Sequence, residues 1–379
     1  MTKHLFLLAA AALVVASCST SPEIEILPES AFTKEINGKQ NTIYTLTGQG
    51  GMTAQITNYG ARAVSLWVPA SDGSYKDVIW GYDSIEAYIN AGDIYSGPIV
   101  GRYGNRIGNG KFSIDGKEYQ ISLNENGNQL HGGKGGFSTK IWNATQTTDS
   151  KGNPSLVMTY ISPDGEEGYP GNLKITVTYT VTENNEFIID YEAETDAPTI
   201  VNPTSHIYFN LHGTSAKSTD SHLLTIYADS FTPTDSELIP TGEISSVEGT
   251  PMDFRKATCI GTGMDRKDFE AIKLGGGYDH NWCLNKGSEF GLAAELYEPE
   301  TGIEMKIYTD QPGLQFYAGQ GMNGKDIGKR GEIHNIRSGI ALETQNYPDA
   351  PNHPDFPSAI LRPGEKYTQH SVYSFKTRN

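Results

Sequence analysis

The sequence predicts an all-β protein, folded as one large antiparallel β-sandwich. Three observations predict it: long runs in which apolar and polar residues alternate, a chain of 379 residues punctuated by 42 glycines and 19 prolines, and tyrosine as 21 of the aromatic residues. Alternation at period two gives a strand one face for a core and one for water. Glycine and proline supply the turns between such strands, and aromatic side chains suit a pleated surface. Helical periodicity is scarce. The hydrophobic fraction of 37% is ample for a large core.

Residues 1–17 read as a leader. Lys3 and His4 precede an apolar run over residues 5–16 that is too short to span a bilayer comfortably, and small residues follow. Val15-Ala16-Ser17-Cys18 resembles the lipobox of bacterial lipoproteins. That resemblance implies cleavage before Cys18, a lipid on its thiol, and a protein anchored in the bacterial cell envelope, facing the periplasm or the surface. An ordinary export signal with an incidental cysteine is the plainer alternative. Residues 18–36 are polar and without periodicity and are expected to be a tether. Residues 37–379 are expected to form the single sandwich domain, since no repeat and no Pro/Ser-rich linker divides them.

Along that domain the elements follow from local chemistry. Residues 84–90 and 266–272 have room for two helical turns each, with Asp83 and Asp265 as candidate N-caps. Asp115-Gly116, between Phe112-Ser113-Ile114 and Glu118-Tyr119-Gln120-Ile121, accepts the positive φ of a tight hairpin turn. Leu173, Ile175, Val177, Tyr179 and Val181 alternate with polar residues, as do Phe187, Ile189, Tyr191 and Ala193 after Asn184-Asn185. That pattern is a hairpin with one buried face. A third hairpin joins residues 292–297 to 303–308 through Pro299-Glu300-Thr301-Gly302.

A formal net charge of −16 without any Lys/Arg-rich run excludes nucleic acid as a partner, because phosphate binding needs a basic surface. Cys259 and Cys283 leave room for one disulfide or for two buried free thiols. There is no CxxC, no HExxH and no ligand-like pairing among the nine histidines, so neither a zinc site nor a metal cofactor is expected.

Five segments are dense in groups that bind hydroxyls: Gly101-Arg102-Tyr103-Gly104-Asn105-Arg106-Ile107, Asn128-Gln129-Leu130-His131-Gly132-Gly133, Asn202-Pro203-Thr204-Ser205-His206-Ile207-Tyr208-Phe209-Asn210, Tyr278-Asp279-His280-Asn281, and Leu342-Glu343-Thr344-Gln345-Asn346-Tyr347-Pro348-Asp349. Carboxylates and amides pair with hydroxyls, and rings cover the C–H faces of a sugar. Taken singly, each has a plainer reading. Arg106 suits a surface ion pair, His131 a turn, His206 a hydrogen-bonded core position, Asp279 a turn cap, and Glu343 an arginine partner.

Together, and in this order, the segments resemble the aldose 1-epimerase (galactose mutarotase) family, from Asn58-Tyr59-Gly60 to Leu361-Arg362-Pro363-Gly364-Glu365. The resemblance implies a large sandwich of the galactose mutarotase type with a sugar cleft on one sheet. It implies interconversion of the α and β anomers of free hexoses, galactose or glucose, by ring opening and reclosure with no cofactor. It also implies Glu343 as the base and His206 as the acid. Asn105, Arg106, His131 and Asp279 become sugar contacts, and Gln311 a further one. Reference pKa values of ~4.3 for Glu and ~6.5 for His put one ionised and one protonatable group near neutrality. The lipidated leader is the departure, since many members of the family are cytoplasmic. A non-catalytic sugar-binding lipoprotein, and a glycoside-cleaving enzyme using Asp279 and Glu343 as paired carboxylates, are the alternatives.

Overall fold

The computed structural model describes residues 24–378. The leader and Cys18 lie outside the described residues. Nine antiparallel strands form a back sheet, in the spatial order Asn143–Thr148, Pro154–Ser162, Leu173–Val181, Glu186–Thr195, Tyr367–Thr377, Ile303–Thr309, Gly291–Glu298, Leu223–Ile226 and Thr258–Cys259. All three hairpins expected from the sequence are present, with Val177 opposite Tyr191, Tyr119 opposite Phe112, and Leu296 opposite Met305. Asp115 and Gly116 both take positive φ, as the tight turn requires.

Facing the back sheet is a six-stranded site sheet, ordered Tyr208–Phe209, Ile340–Gln345, Gly313–Tyr317, Asp279–Cys283, Ser230–Thr232 and Ser245–Ser246. A four-stranded sheet, Ile43–Thr47, Thr53–Thr57, Arg62–Pro69 and Tyr75–Asp77, continues it through a bridge between Ile79 and Phe209. The core lies between the layers. Ile175, Val177 and Tyr179 of the back sheet share it with Phe209, Leu314, Phe316 and Leu342 of the site sheet and with Leu66 and Val68 of the third. Among the described residues no helix is long and apolar enough to cross a membrane.

Two local expectations are corrected. The polar stretch is not a tether throughout: Phe32 is fully buried, Leu27 exchanges two backbone hydrogen bonds with the Gln55 side chain, and Lys34–Ile36 pairs with Lys39–Asn41. A few apolar anchors spaced among polar residues dock this segment without leaving a period. The helix caps also shift. Ile85–Asn90 is capped by the Ser84 side chain, which accepts from the Ala87 N–H, while Asp83 accepts from the Arg330 N–H. The second helix is Glu270–Gly275, so Asp265 lies well before it.

Candidate active site

On the site sheet, period two sends Leu314, Phe316, Leu342 and Trp282 into the core. The alternate positions, Gln315, Tyr317, Glu343 and Asp279, face the other way. In a half-exposed sheet that second face would be wet. Here Gln315 and Glu343 are buried, because loops arch over them. The result is a cleft of about 270 Å³ lined by Asn105, Arg106, His131, His206, Asp279 and Glu343, with Tyr95, Tyr208 and Tyr317 among its walls.

Each group is held by identifiable bonds. His206 follows Thr204–Ser205, which pairs with Ile99–Val100, and its backbone N–H donates to the Pro98 carbonyl at 2.9 Å. Arg106 lies opposite Leu130 in a two-stranded ribbon, so the segments carrying Asn105 and His131 run side by side. The Asn105 N–H donates to His131 Nδ1 at 3.1 Å. Neutral His131 therefore carries its proton on Nε2. Gly132 fits only because it lacks a Cβ, which would come within 1.8 Å of the Gly101 carbonyl oxygen.

His206 Nε2 and Glu343 Oε1 stand 3.7 Å apart. His206 Nδ1 and Glu343 Oε2 are buried and have no hydrogen-bond partner among the described residues. Burial, reinforced by the Asp279 charge and opposed by Arg106, pushes the Glu343 carboxyl well above the carboxylate range. Burial pushes His206 down to about 4. His131 is held well below its usual value by burial, by His206 and by Arg106. The expectation of an ionised Glu343 beside a protonatable His206 is thus altered by burial, which favours the proton on the carboxyl and disfavours it on the imidazole.

Arg106 supplies the fixed positive charge. Its Nε and Nη2 donate to the two oxygens of Glu125, each at 3.1 Å, and Nη1 lies 3.5 Å from Asp279 Oδ2. Burial opposes its charge, but these carboxylates outweigh it and raise its pKa. Asp279 Oδ1 accepts from Gln315 Nε2 at 2.6 Å.

Six of the seven sugar-site candidates therefore converge, and Gln311 does not. It lies beyond the end of Ile303–Thr309, its amide donating to Asp310 and its carbonyl accepting from Lys286, beside a separate surface cavity. Gln315 occupies the place beside Asp279. Alternation gives the signal for it, since Leu314 and Phe316 flank it in its strand. Glu125 and the cleft-lining Asp93, whose Oδ2 is buried and unpartnered and whose carboxyl burial raises to about 6, were not singled out either. Gln311→Ala is expected to leave kcat/KM within about twofold of wild type, whereas Gln315→Ala should raise KM by tenfold or more, roughly one charge-assisted hydrogen bond. Steady-state kinetics of the two variants checks this.

The histidines do form ligand-like groupings in space. Ligand-capable atoms of His131, His206 and Glu343 lie within 4.8 Å of one another, as do those of His212, Glu298 and Glu300 outside the cleft. Cys259 and Cys283 are both free, the first exposed and the second buried.

Comparison with known proteins bears on this arrangement. Residues 42–374 match the family model described as aldose 1-epimerase. The chain belongs to the aldose 1-epimerase family. It is 41% identical over 324 residues to human galactose mutarotase, covering 86% of this chain and 91% of that protein. It is 37% identical over 344 residues to the aldose 1-epimerase of Escherichia coli, covering 89% and 96%. Among solved structures, an aldose epimerase homologue from C. elegans superposes with a TM-score of 0.81 at 31% identity, covering 89% of this chain and all of that one. Galactose 1-epimerase from Lactobacillus acidophilus superposes at 0.80 and 30% identity, covering 92% and 98%. This family member is accordingly an isomerase on a sandwich of the mutarotase type.

Proposed function

We propose that the chain interconverts the α and β anomers of a free aldohexose, galactose or glucose, with Glu343 and His206 as the proton carriers. The observation that carries this is the buried pair at 3.7 Å, each with an unpartnered polar atom, on the floor of a cleft otherwise lined by hydroxyl-binding groups. Ring opening takes the proton from the anomeric hydroxyl, forms the C1=O bond, breaks the bond from C1 to the ring oxygen, and protonates that oxygen. Reclosure on the other face of C1 runs the same steps in reverse. One proton gained and one lost at each stage leaves the pair's total unchanged.

Substrate sets where that proton sits. An anomeric hydroxyl donating to Glu343 favours the carboxylate, and a ring oxygen accepting from His206 favours the imidazolium. Binding therefore moves the shared proton from carboxyl to imidazole, which readies Glu343 as base and His206 as acid. Burial leaves the carboxylate the stronger base of the two, so the substrate's own hydrogen bonds supply the driving force for the transfer. His131, with its proton fixed on Nε2, and Arg106 donate to oxygens near C1. Asp279 accepts from hydroxyls farther away.

Polarimetry of fresh α-D-glucose and α-D-galactose with the purified full chain in detergent tests the reaction. Acceleration over the buffer blank is expected. No acceleration, with sugar binding intact by calorimetry, would make the chain a binding protein, and release from a chromogenic glycoside would make it a hydrolase. Asp279→Ala is expected to raise KM about 10–100-fold with kcat changed less than tenfold, as for a lost charge-assisted hydrogen bond. Removing that negative charge also lowers the Glu343 pKa, so the alkaline limb of the rate profile should move to lower pH.

We also propose lipid anchorage at Cys18, supported by Val15-Ala16-Ser17 before it. Wild type should partition into the detergent phase and Cys18→Ser into the aqueous phase. Aqueous partition of both would remove the anchor.

A further inference from the structure

The second grouping lies away from the cleft, where the turn after Gly291–Glu298 meets the segment following Tyr208–Phe209. Thr301 ties the two together, its hydroxyl donating to the Leu211 carbonyl at 3.0 Å. His212 Nδ1 stands 3.4 Å from Glu298 Oε1 and 3.9 Å from Glu300 Oε2. His212 is buried, and its Nδ1 has no hydrogen-bond partner among the described residues. Its other nitrogen, Nε2, is 3.3 Å from Ser221 Oγ.

We infer that His212, Glu298 and Glu300 form a binding site for a divalent transition-metal ion of the zinc class. In the tautomer whose Nε2–H donates to Ser221 Oγ, the Nδ1 lone pair faces the two carboxylates and is free to take an ion. Metal-bound histidines are held in this way, the second nitrogen fixed by a hydrogen bond while the first takes the ion. Glu298 is fully buried and preset, its oxygens accepting from the Glu300 and Thr301 N–H groups at 2.9 and 2.7 Å. Each carboxylate oxygen keeps a further lone pair.

The spacing also fits. With all three ligand atoms within 4.8 Å of one another, a point can be found no more than about 2.8 Å from each, and an inward movement of the mobile arm brings the three to the roughly 2.0–2.2 Å of zinc ligation. Glu300 is that arm, being the exposed member. An imidazole nitrogen with two carboxylates suits zinc better than calcium or magnesium, which prefer all-oxygen shells. Lys217 pairs with Glu300 and is the cation the ion displaces. The metal would pin the 211–222 segment to the hairpin turn, a structural role separate from the sugar chemistry.

The test is zinc titration of the chelator-treated full chain by calorimetry, with the visible absorption of bound cobalt(II) as a report on ligation. One equivalent of zinc is expected. Affinity should fall at least about 100-fold in His212→Ala and about 10–100-fold in Ser221→Ala, which loosens only the ring's support. Glu300→Gln, at an exposed position, should weaken binding as well, and it decides the matter if His212→Ala does not fold. His206→Asn should bind zinc as wild type does. The proposal is overturned if wild type takes up no zinc, if binding survives both His212→Ala and Glu300→Gln, or if His206→Asn abolishes it, since the ion would then sit in the cleft.

Discussion

Glu343→Gln is expected to lower kcat by about 10²–10⁴-fold, the usual contribution of one general acid–base group. The amide matches the carboxyl in shape, so the site sheet and the His206 contact stay in place, but it takes no proton from the anomeric hydroxyl. The same variant should be more stable than wild type in alkali. Folding raises the Glu343 pKa through burial and the Asp279 charge. The native state therefore keeps a proton that the unfolded chain releases above ~4.3. Native protein binds more protons than unfolded protein from there up to the raised value, so stability falls as pH rises through that window. Glutamine removes this term. The Tm of Glu343→Gln should exceed that of wild type at pH 8 and converge with it toward pH 4. A near-normal rate in a folded variant would remove Glu343 from the chemistry, and a Tm difference that grows toward acid would refute its raised pKa.

The second large effect is expected at His206. His206→Asn should lose about 10²–10⁴-fold in rate and change the form of the pH profile. In wild type the competent pair carries one proton. Activity is lost below about 4, where His206 also takes a proton and no base remains. It is lost again above the raised Glu343 value, where no acid remains. Burial thus hands the alkaline limit of the active range to Glu343, whereas ordinary values would set it through His206 at about 6.5. Without His206 only Glu343 titrates, as a base, so the residual rate should rise with pH where wild type falls. Measurement of kcat/KM against pH for both proteins checks this. A residual rate that falls in alkali as wild type does would assign the acid to another group.

The sandwich was legible because its strands state their own period: the inward residues from Leu173 to Val181 are all in the core. The site was legible through segments whose polar content exceeds what turns need, and Asn105, Arg106, His131, His206, Asp279 and Glu343 meet in one cleft. What could not be read depends on burial. Reference pKa values make Glu343 ionised and His206 protonatable near neutrality, and only the buried cleft moves the first up and the second down. Gln311 and Gln315 differ by four positions, and only the pairing of Gly313–Tyr317 with its neighbours puts the second beside Asp279. Glu125 lies in a polar loop and acquires its role from Arg106 across the chain fold. The grouping of His212 with Glu298 spans 86 residues and leaves no spacing to notice.

Arg106 has a consequence for which sugars are turned away. Among the described residues it is the one arginine or lysine lining the cleft, and Glu125 and Asp279 already engage its guanidinium. Around it stand the carboxyl groups of Asp93, Asp279, Asp326 and Glu343. A phosphate ester or a uronate entering this space meets carboxyl groups on several sides and, among the described residues, no arginine or lysine free to receive it. The cleft is therefore expected to sort by charge before it sorts by hydroxyl stereochemistry, turning over neutral sugars faster than phosphorylated or uronic ones, which polarimetry of each class would check.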